Sequence, residues 1–206
     1  MPRDLIDRAI DTLIRENTIL FHHGLHEQNL VGRLSYHLQT LAIQNHDLSE
    51  YYVDVEYNRA VHGGLKVIPG NNVQGEKRVF VDLVLHGRGL NGPRENIICC
   101  EMKKRTRKKA WETHRQAAED ILQVQLIADD QEKLRAFTAN GNPYNEDGNV
   151  IGYEIGVLIV PRYDPEGMHA GVASRIKEIF VRYYAEGEAL EEQDRIIEVP
   201  FPIIPV

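Results

Sequence analysis

Two strand-length apolar runs, separated by a glycine-rich loop, constrain the fold of this chain most strongly. The runs cover residues 78–86 and 96–103, and Gly87, Gly89 and Gly92 lie between them. Apolar runs of this length, bounded by turn-forming residues, are typical of buried strands. The short connection predicts that the two strands pair as an antiparallel hairpin.

Hydrophobic periodicity predicts the other elements of the fold. Apolar residues at helical spacing predict helices over residues 3–16, 27–44, 111–137 and 170–186. Alternating or continuous apolar residues predict further strands over residues 51–59, 154–161 and 195–199. Segments rich in glycine and asparagine predict loops over residues 62–77 and 140–149.

The order of these elements indicates an α/β fold. Two helices, three strands, a helix, a strand, a helix and a last strand are expected to form a central mixed β-sheet flanked by helices. A chain of 206 residues is long enough to bury one sizeable core. Residues 1–206 are therefore predicted to form a single domain.

Three charged residues interrupt the apolar pattern of the hairpin. Asp82 lies within the run VFVDLVL, where an aspartate is costly unless it has a buried partner. Glu101 and Lys103 are two residues apart, so their side chains share one face of a strand. Taken singly, Glu101 and Lys103 are equally typical of a solvated strand end. If strand pairing aligns the two faces, all three side chains converge, and this convergence favours a functional interpretation.

An aspartate in one strand, with Glu-x-Lys in the next, resembles the signature of the PD-(D/E)xK phosphodiesterases, the restriction-endonuclease-like nucleases. The resemblance implies a restriction-endonuclease-like fold, with three strands, a helix and a further strand in this order. It also implies a nuclease that hydrolyses DNA phosphodiester bonds with Mg2+, or with Mn2+ in its place. Such hydrolysis needs a positioned water, charge offset on the phosphate and a stabilised leaving oxygen, all of which a divalent metal can supply.

The same resemblance implies roles for individual residues. Asp82 and Glu101 would bind the metal, helped by the backbone carbonyl of Met102, and Lys103 would position the water or offset charge on the phosphate. An unperturbed lysine has a pKa of about 10.4, which favours the electrostatic role for Lys103. Many members of the family take another acid from the helix before the first core strand, and Glu27 has this placement. It would act as a metal ligand or through a water, whereas a purely structural Glu27 would complement the helix dipole.

A dense basic run directly follows the predicted site. Its members are Lys104, Arg105, Arg107, Lys108 and Lys109. Their position predicts contact with the phosphates of DNA, although such contacts do not separate DNA from RNA. The alternative is that these basic residues form a solvated surface and do not contact phosphate. The net charge of -7 argues against a high-affinity, non-specific nucleic-acid binder.

A second class of function is a catalytically inactive subunit, in which the nuclease fold binds DNA or protein within a larger complex. The small size and acidic balance of the chain fit this alternative. The intact set of Asp82, Glu101 and Lys103 favours the enzyme instead. If one active site per chain cuts both strands of a duplex, a homodimer is expected.

We expect a cytoplasmic protein, because neither a membrane span nor a secretory signal is predicted. The longest apolar runs are of strand length, so no membrane span is predicted. The first residues contain an acid every few positions, so they do not resemble a secretory signal. The adjacent Cys99 and Cys100 are expected to point to opposite faces of a strand as small buried hydrophobic residues.

Overall fold

The structure, a computed structural model, describes residues 1–22, 26–57, 67–69, 76–88, 95–103, 113–139, 152–163 and 176–200. Within these residues there are four α-helices: α1 (Pro2–Glu16), α2 (Thr18–His22), α3 (Glu27–Ile43) and α4 (Thr113–Thr138). The same residues form nine strands: β1 (Tyr52–Tyr57), β2 (Val67–Pro69), β3 (Glu76–Arg78), β4 (Val81–His86), β5 (Asn96–Met102), β6 (Ile155–Tyr163), β7 (Ile176–Ala185), β8 (Glu188–Ala189) and β9 (Arg195–Glu198).

Seven of these strands form one mixed, open sheet. The order across it is β1-β4-β5-β6-β7-β8, and β9 also pairs with β7. Strands β4 and β5 form the predicted antiparallel pair, whereas β5 and β6 run parallel. Strands β2 and β3 form a separate two-stranded sheet. The predicted α/β class with a central mixed sheet is therefore confirmed.

Helices lie on both faces of the large sheet because each central strand carries apolar side chains on both sides. Leu83 of β4 and Cys100 of β5 belong to one core cluster, which the apolar stripes of α1 and α3 complete. Val84 and Cys99 belong to a second cluster, together with Leu134 and other residues of α4. All residues of β5 are buried, and both cysteines are buried as predicted. The hairpin is thus enclosed between two helical layers.

Several predicted elements are confirmed, with ends that differ by one or two residues. They are the helices predicted at 3–16 and 27–44 and the strands predicted at 96–103, 154–161 and 195–199. The helix predicted at 111–137 is confirmed over Thr113–Thr138, and residues 111–112 lie outside the described residues. The strand predicted at 51–59 is confirmed over Tyr52–Tyr57, and residues 58–59 lie outside the described residues. The strand predicted at 78–86 begins only at Val81, because Arg78 pairs with β2 in the other sheet. The predicted loop at 140–149 also lies outside the described residues.

The helix predicted near 170–186 is wrong over Ile176–Ala185, which form strand β7, and residues 170–175 lie outside the described residues. The segment IKEIFVRYYA is rich in β-branched and aromatic residues, which favour a pleated, half-buried surface over a helix. Ile179, Val181 and Tyr183 are buried on one side, while Phe180 and Arg182 between them are partly exposed. This period of two is the strand pattern.

Two smaller features were not predicted. The short helix α2 lies between two predicted helices, whereas β2 lies within the predicted loop at 62–77 and β3 begins in it. None of the helices in the described part of the chain has the length and apolar character needed to cross a membrane.

Candidate functional site

The β4–β5 hairpin brings Asp82 and Glu101 together. Leu83 pairs with Cys100 and Val84 with Cys99. The same register, continued by one residue, sets Asp82 opposite Glu101 on the face covered by α4. The backbone N–H of Met102 donates a hydrogen bond to Oδ2 of Asp82 over 2.8 Å. The two predicted carboxylates therefore lie side by side where β4 begins and β5 ends.

Glu101 is buried and forms an ion pair with a lysine of α4. Its side chain is only 1% exposed, and its Oε1 lies 2.7 Å from Nζ of Lys133. The same Nζ lies 3.1 Å from Oδ1 of Asp130 and 3.2 Å from the backbone carbonyl oxygen of Phe80. An ammonium group has three N–H donors. Each donor of Lys133 thus has an oxygen within reach.

Lys103 links the helices on the two faces of the sheet. It follows the last residue of β5, and its Nζ lies 3.3 Å from Oδ2 of Asp130 on α4. The same Nζ lies 4.0 Å from Oε1 of Glu27 in the first turn of α3. The structure therefore brings Glu27 to the site through Lys103, and it brings all four predicted side chains into one cluster.

Burial raises the pKa of both strand carboxylates. Burial raises the pKa of Glu101 well above its ordinary value, the charge of Asp82 raises it further, and Lys133 opposes both effects. Burial also raises the pKa of Asp82, against the lowering effects of the Met102 N–H and of Lys103. A cation placed beside the two carboxylates would stabilise their ionised forms.

The two lysines of the cluster remain protonated. Burial lowers the pKa of Lys103, but the charges of Asp130 and Glu27 outweigh burial and the pKa is raised. For Lys133, burial is likewise outweighed by Glu101 and Asp130, so its pKa is also raised. Lys103 is therefore unsuited to act as a base at neutral pH, and an electrostatic role fits it better.

The described part of the cluster holds more carboxylates than ammonium groups. Four carboxylates, Glu27, Asp82, Glu101 and Asp130, lie near the ammonium groups of Lys103 and Lys133. Carboxylate and carbonyl oxygens are the ligands that Mg2+ prefers. In the described ranges, however, no group of three or more His, Cys, Asp or Glu side chains is arranged to hold a metal ion.

Two members of the cluster, Asp130 and Lys133, were not predicted from the sequence. A charged segment such as DDQEKLR is typical of a solvated helix face. One signal was present, because Asp130 lies four residues before Leu134 and seven before Phe137. Both apolar residues are fully buried, so this spacing puts Asp130 on the core-facing stripe of α4. The predicted phosphate contacts, Lys104 to Lys109, lie outside the described residues.

We expect the Asp82→Asn variant to become more stable relative to wild type as the pH rises through the acid range. The pKa of Asp82 is raised in the fold above its ordinary value of 3.8. The unfolded chain therefore loses this proton first, so wild-type stability falls as the pH rises from 3.8 through the folded pKa. Asparagine does not titrate, and its amide oxygen can still accept the Met102 N–H. Urea unfolding of both proteins at about pH 4 and about pH 7 measures the change, and a pH-independent difference would contradict it.

No protein-family model, curated protein or solved structure shows significant similarity to this chain. The class of protein is therefore inferred from the geometry and chemistry of the cluster.

Proposed function

We propose that the chain is a metal-dependent nuclease with a restriction-endonuclease-like fold, which hydrolyses DNA phosphodiester bonds with Mg2+ or Mn2+. The observation that carries this proposal is the convergence of Asp82, Glu101 and Lys103 at one end of the β4–β5 hairpin. The element order also supports it. Strands β1, β4 and β5 are followed by α4 and then by β6, which is the three-strand, helix, strand order implied by the resemblance.

Asp82 and Glu101 would hold the metal, together with the backbone carbonyl of Met102. A strand residue directs its N–H and its C=O to the same neighbouring strand. The N–H of Met102 already reaches Asp82, so its carbonyl is expected on the same side. The bound metal would supply Lewis-acid stabilisation of the phosphate and a more acidic water.

Lys103 would offset negative charge on the scissile phosphate. Its raised pKa keeps it cationic, and its position just past β5 leaves it partly exposed beside the two carboxylates. Glu27 and Asp130 hold its ammonium from opposite helices. In this arrangement Glu27 acts by positioning Lys103. The basic run from Lys104 to Lys109 would extend the contact along the nucleic-acid backbone.

One observation favours a different function. Glu101 already forms a buried ion pair with Lys133, so a proposed metal ligand is neutralised by the protein itself. A nuclease fold that had lost its activity could keep such a pair for stability alone. The second candidate is therefore an inactive subunit that binds DNA or protein within a larger complex.

A cleavage assay separates the two candidates. Wild-type protein is incubated with supercoiled plasmid, linear duplex DNA, single-stranded DNA and RNA, with Mg2+, with Mn2+ and with a chelator. The same reactions are run with the Asp82→Ala and Lys103→Ala variants. We expect cleavage that requires the metal and falls by about a hundredfold or more in each variant.

The outcomes of this assay are distinct. A folded wild-type protein that cuts no substrate under any condition would favour the inactive subunit. Undiminished cleavage by both variants would mean that Asp82 and Lys103 do not form the site. Cleavage of both strands of the duplex would further predict a homodimer, which light scattering detects.

A further inference from the structure

The ammonium group of Lys133 occupies a cage of oxygen atoms. Its Nζ has oxygen neighbours from Glu101 at 2.7 Å, Asp130 at 3.1 Å and the Phe80 carbonyl at 3.2 Å. The positive charge of Lys133 also acts to lower the pKa of Asp82. Two carboxylates and a backbone carbonyl are also the ligand types that a hard divalent cation takes. The protein therefore places one of its own cations where such an ion would find oxygen ligands.

Asp130 provides a second, independent observation at the same place. Its side chain is only 6% exposed, yet among the described residues its Oδ2 has no well-directed hydrogen bond. Lys103 Nζ lies 3.3 Å from this oxygen and forms an ion pair with it. An ionised carboxylate oxygen can accept more than one partner, so a bound cation would share this oxygen with Lys103.

We propose that Lys133 is a tethered cation that fills the metal position in the metal-free protein and is displaced when a divalent ion binds. On displacement, Asp130 becomes a metal ligand beside Glu101. This inference rests on the metal dependence proposed above. It explains how one cluster can hold a Glu101–Lys133 ion pair and still serve as a metal site.

The arrangement makes Lys133 a competitor of the metal. A divalent ion must break the Lys133–Glu101 contact before it can bind, so the affinity for the metal is reduced by the stability of that contact. The side chain of Lys133 is already 15% exposed, and its long apolar stem allows the ammonium group to move into water. Metal binding and the exposure of Lys133 are therefore coupled.

The first test measures Mn2+ binding alone, by calorimetry, for wild type and three variants. Lys133→Met removes the competing charge and should bind Mn2+ about tenfold or more tightly than wild type. Lys133→Arg keeps the charge and should show no gain. Asp130→Asn removes a ligand charge and should bind about tenfold more weakly. Equal affinities of wild type and Lys133→Met would overturn the inference.

The second test uses only the wild-type protein, so it remains decisive if Lys133→Met does not fold. Amines are labelled with an acylating reagent, and each site is quantified by mass spectrometry with and without Mn2+. We expect Mn2+ to accelerate the labelling of Lys133 severalfold and to leave unchanged the labelling of the amino group of Met1, whose side chain is 87% exposed. Labelling of Lys133 that Mn2+ leaves unchanged or slows would overturn the inference.

These results separate failure of the inference from failure of the proposed function. Metal-dependent cleavage with equal Mn2+ affinities and unchanged Lys133 labelling would overturn the tethered-cation role and leave the nuclease proposal intact. Absence of Mn2+ binding in wild type and in Lys133→Met would overturn both.

Discussion

We expect the Lys133→Met variant to be about 3–5 kcal/mol less stable than wild type in metal-free buffer at neutral pH. Lys133 is the cation that directly contacts the buried Glu101. Its removal would leave that carboxylate without its hydrogen-bonded partner in a site that is almost fully shielded from water. Methionine has a similar length and fills most of the space of the lysine stem, so lost packing contributes little to the expected change.

The pH dependence of this loss identifies its cause. Burial already raises the pKa of Glu101, and without Lys133 this pKa should rise further. When an acid has a higher pKa in the folded protein than in the unfolded chain, the protein loses stability as the pH rises from the unfolded pKa to the folded pKa. The deficit of Lys133→Met should therefore be smaller at about pH 5 than at about pH 8, as measured by urea unfolding.

A double variant provides the matched control for this prediction. Lys133→Met combined with Glu101→Gln removes both charges and should recover most of the stability lost in the single variant. A loss below about 1 kcal/mol in Lys133→Met would instead indicate an ordinary surface ion pair. That result would contradict the claim that Lys133 and Glu101 form a buried ion pair.

The second large effect is expected on cleavage. Glu101→Gln keeps the size of the side chain and leaves an amide oxygen that can accept from Lys133, but it removes the charge that would hold the metal. Metal-dependent cleavage should therefore fall by about a hundredfold or more, while the fold is retained. The rate of plasmid cleavage and the thermal unfolding of the same preparation measure the two parts of this prediction.

Asp194→Asn is a suitable control for the loss of a paired carboxylate. Asp194 accepts a hydrogen bond from Arg182 over 2.6 Å, and its side chain is 19% exposed to solvent. It lies near β7, on the other side of the sheet from β4. It lies outside the cluster around Glu101. Asp194→Asn should cleave at the wild-type rate, and an equal loss in both variants would contradict a specific role for Glu101.

The sequence was sufficient to predict the hairpin and the convergence of its charges. Two apolar runs with a short connection leave few arrangements other than an antiparallel pair. The period of two then sets Asp82 and Glu101 on one face once the register is known. Lys103 follows from the same period, and the family resemblance assigned a role to Glu27.

The remaining features depend on tertiary packing that local patterns do not reveal. Whether a charge on α4 faces water or the sheet is decided by the rotation of that helix, which is why Asp130 and Lys133 were missed. The segment 176–185 contains apolar residues that fit both helical and strand spacing. Pairing with β6 and β9 selected the strand, an outcome that a local pattern cannot determine.

The stoichiometry of Mn2+ binding tests most directly the claim that Asp82 and Glu101 together hold a divalent ion. Calorimetry on the wild-type protein and on the Asp82→Asn, Glu101→Gln double variant gives the comparison, with Asp194→Asn as the control. We predict saturable Mn2+ binding by wild type and by the control, and its loss in the double variant. Equal binding by all three proteins would contradict the proposed site.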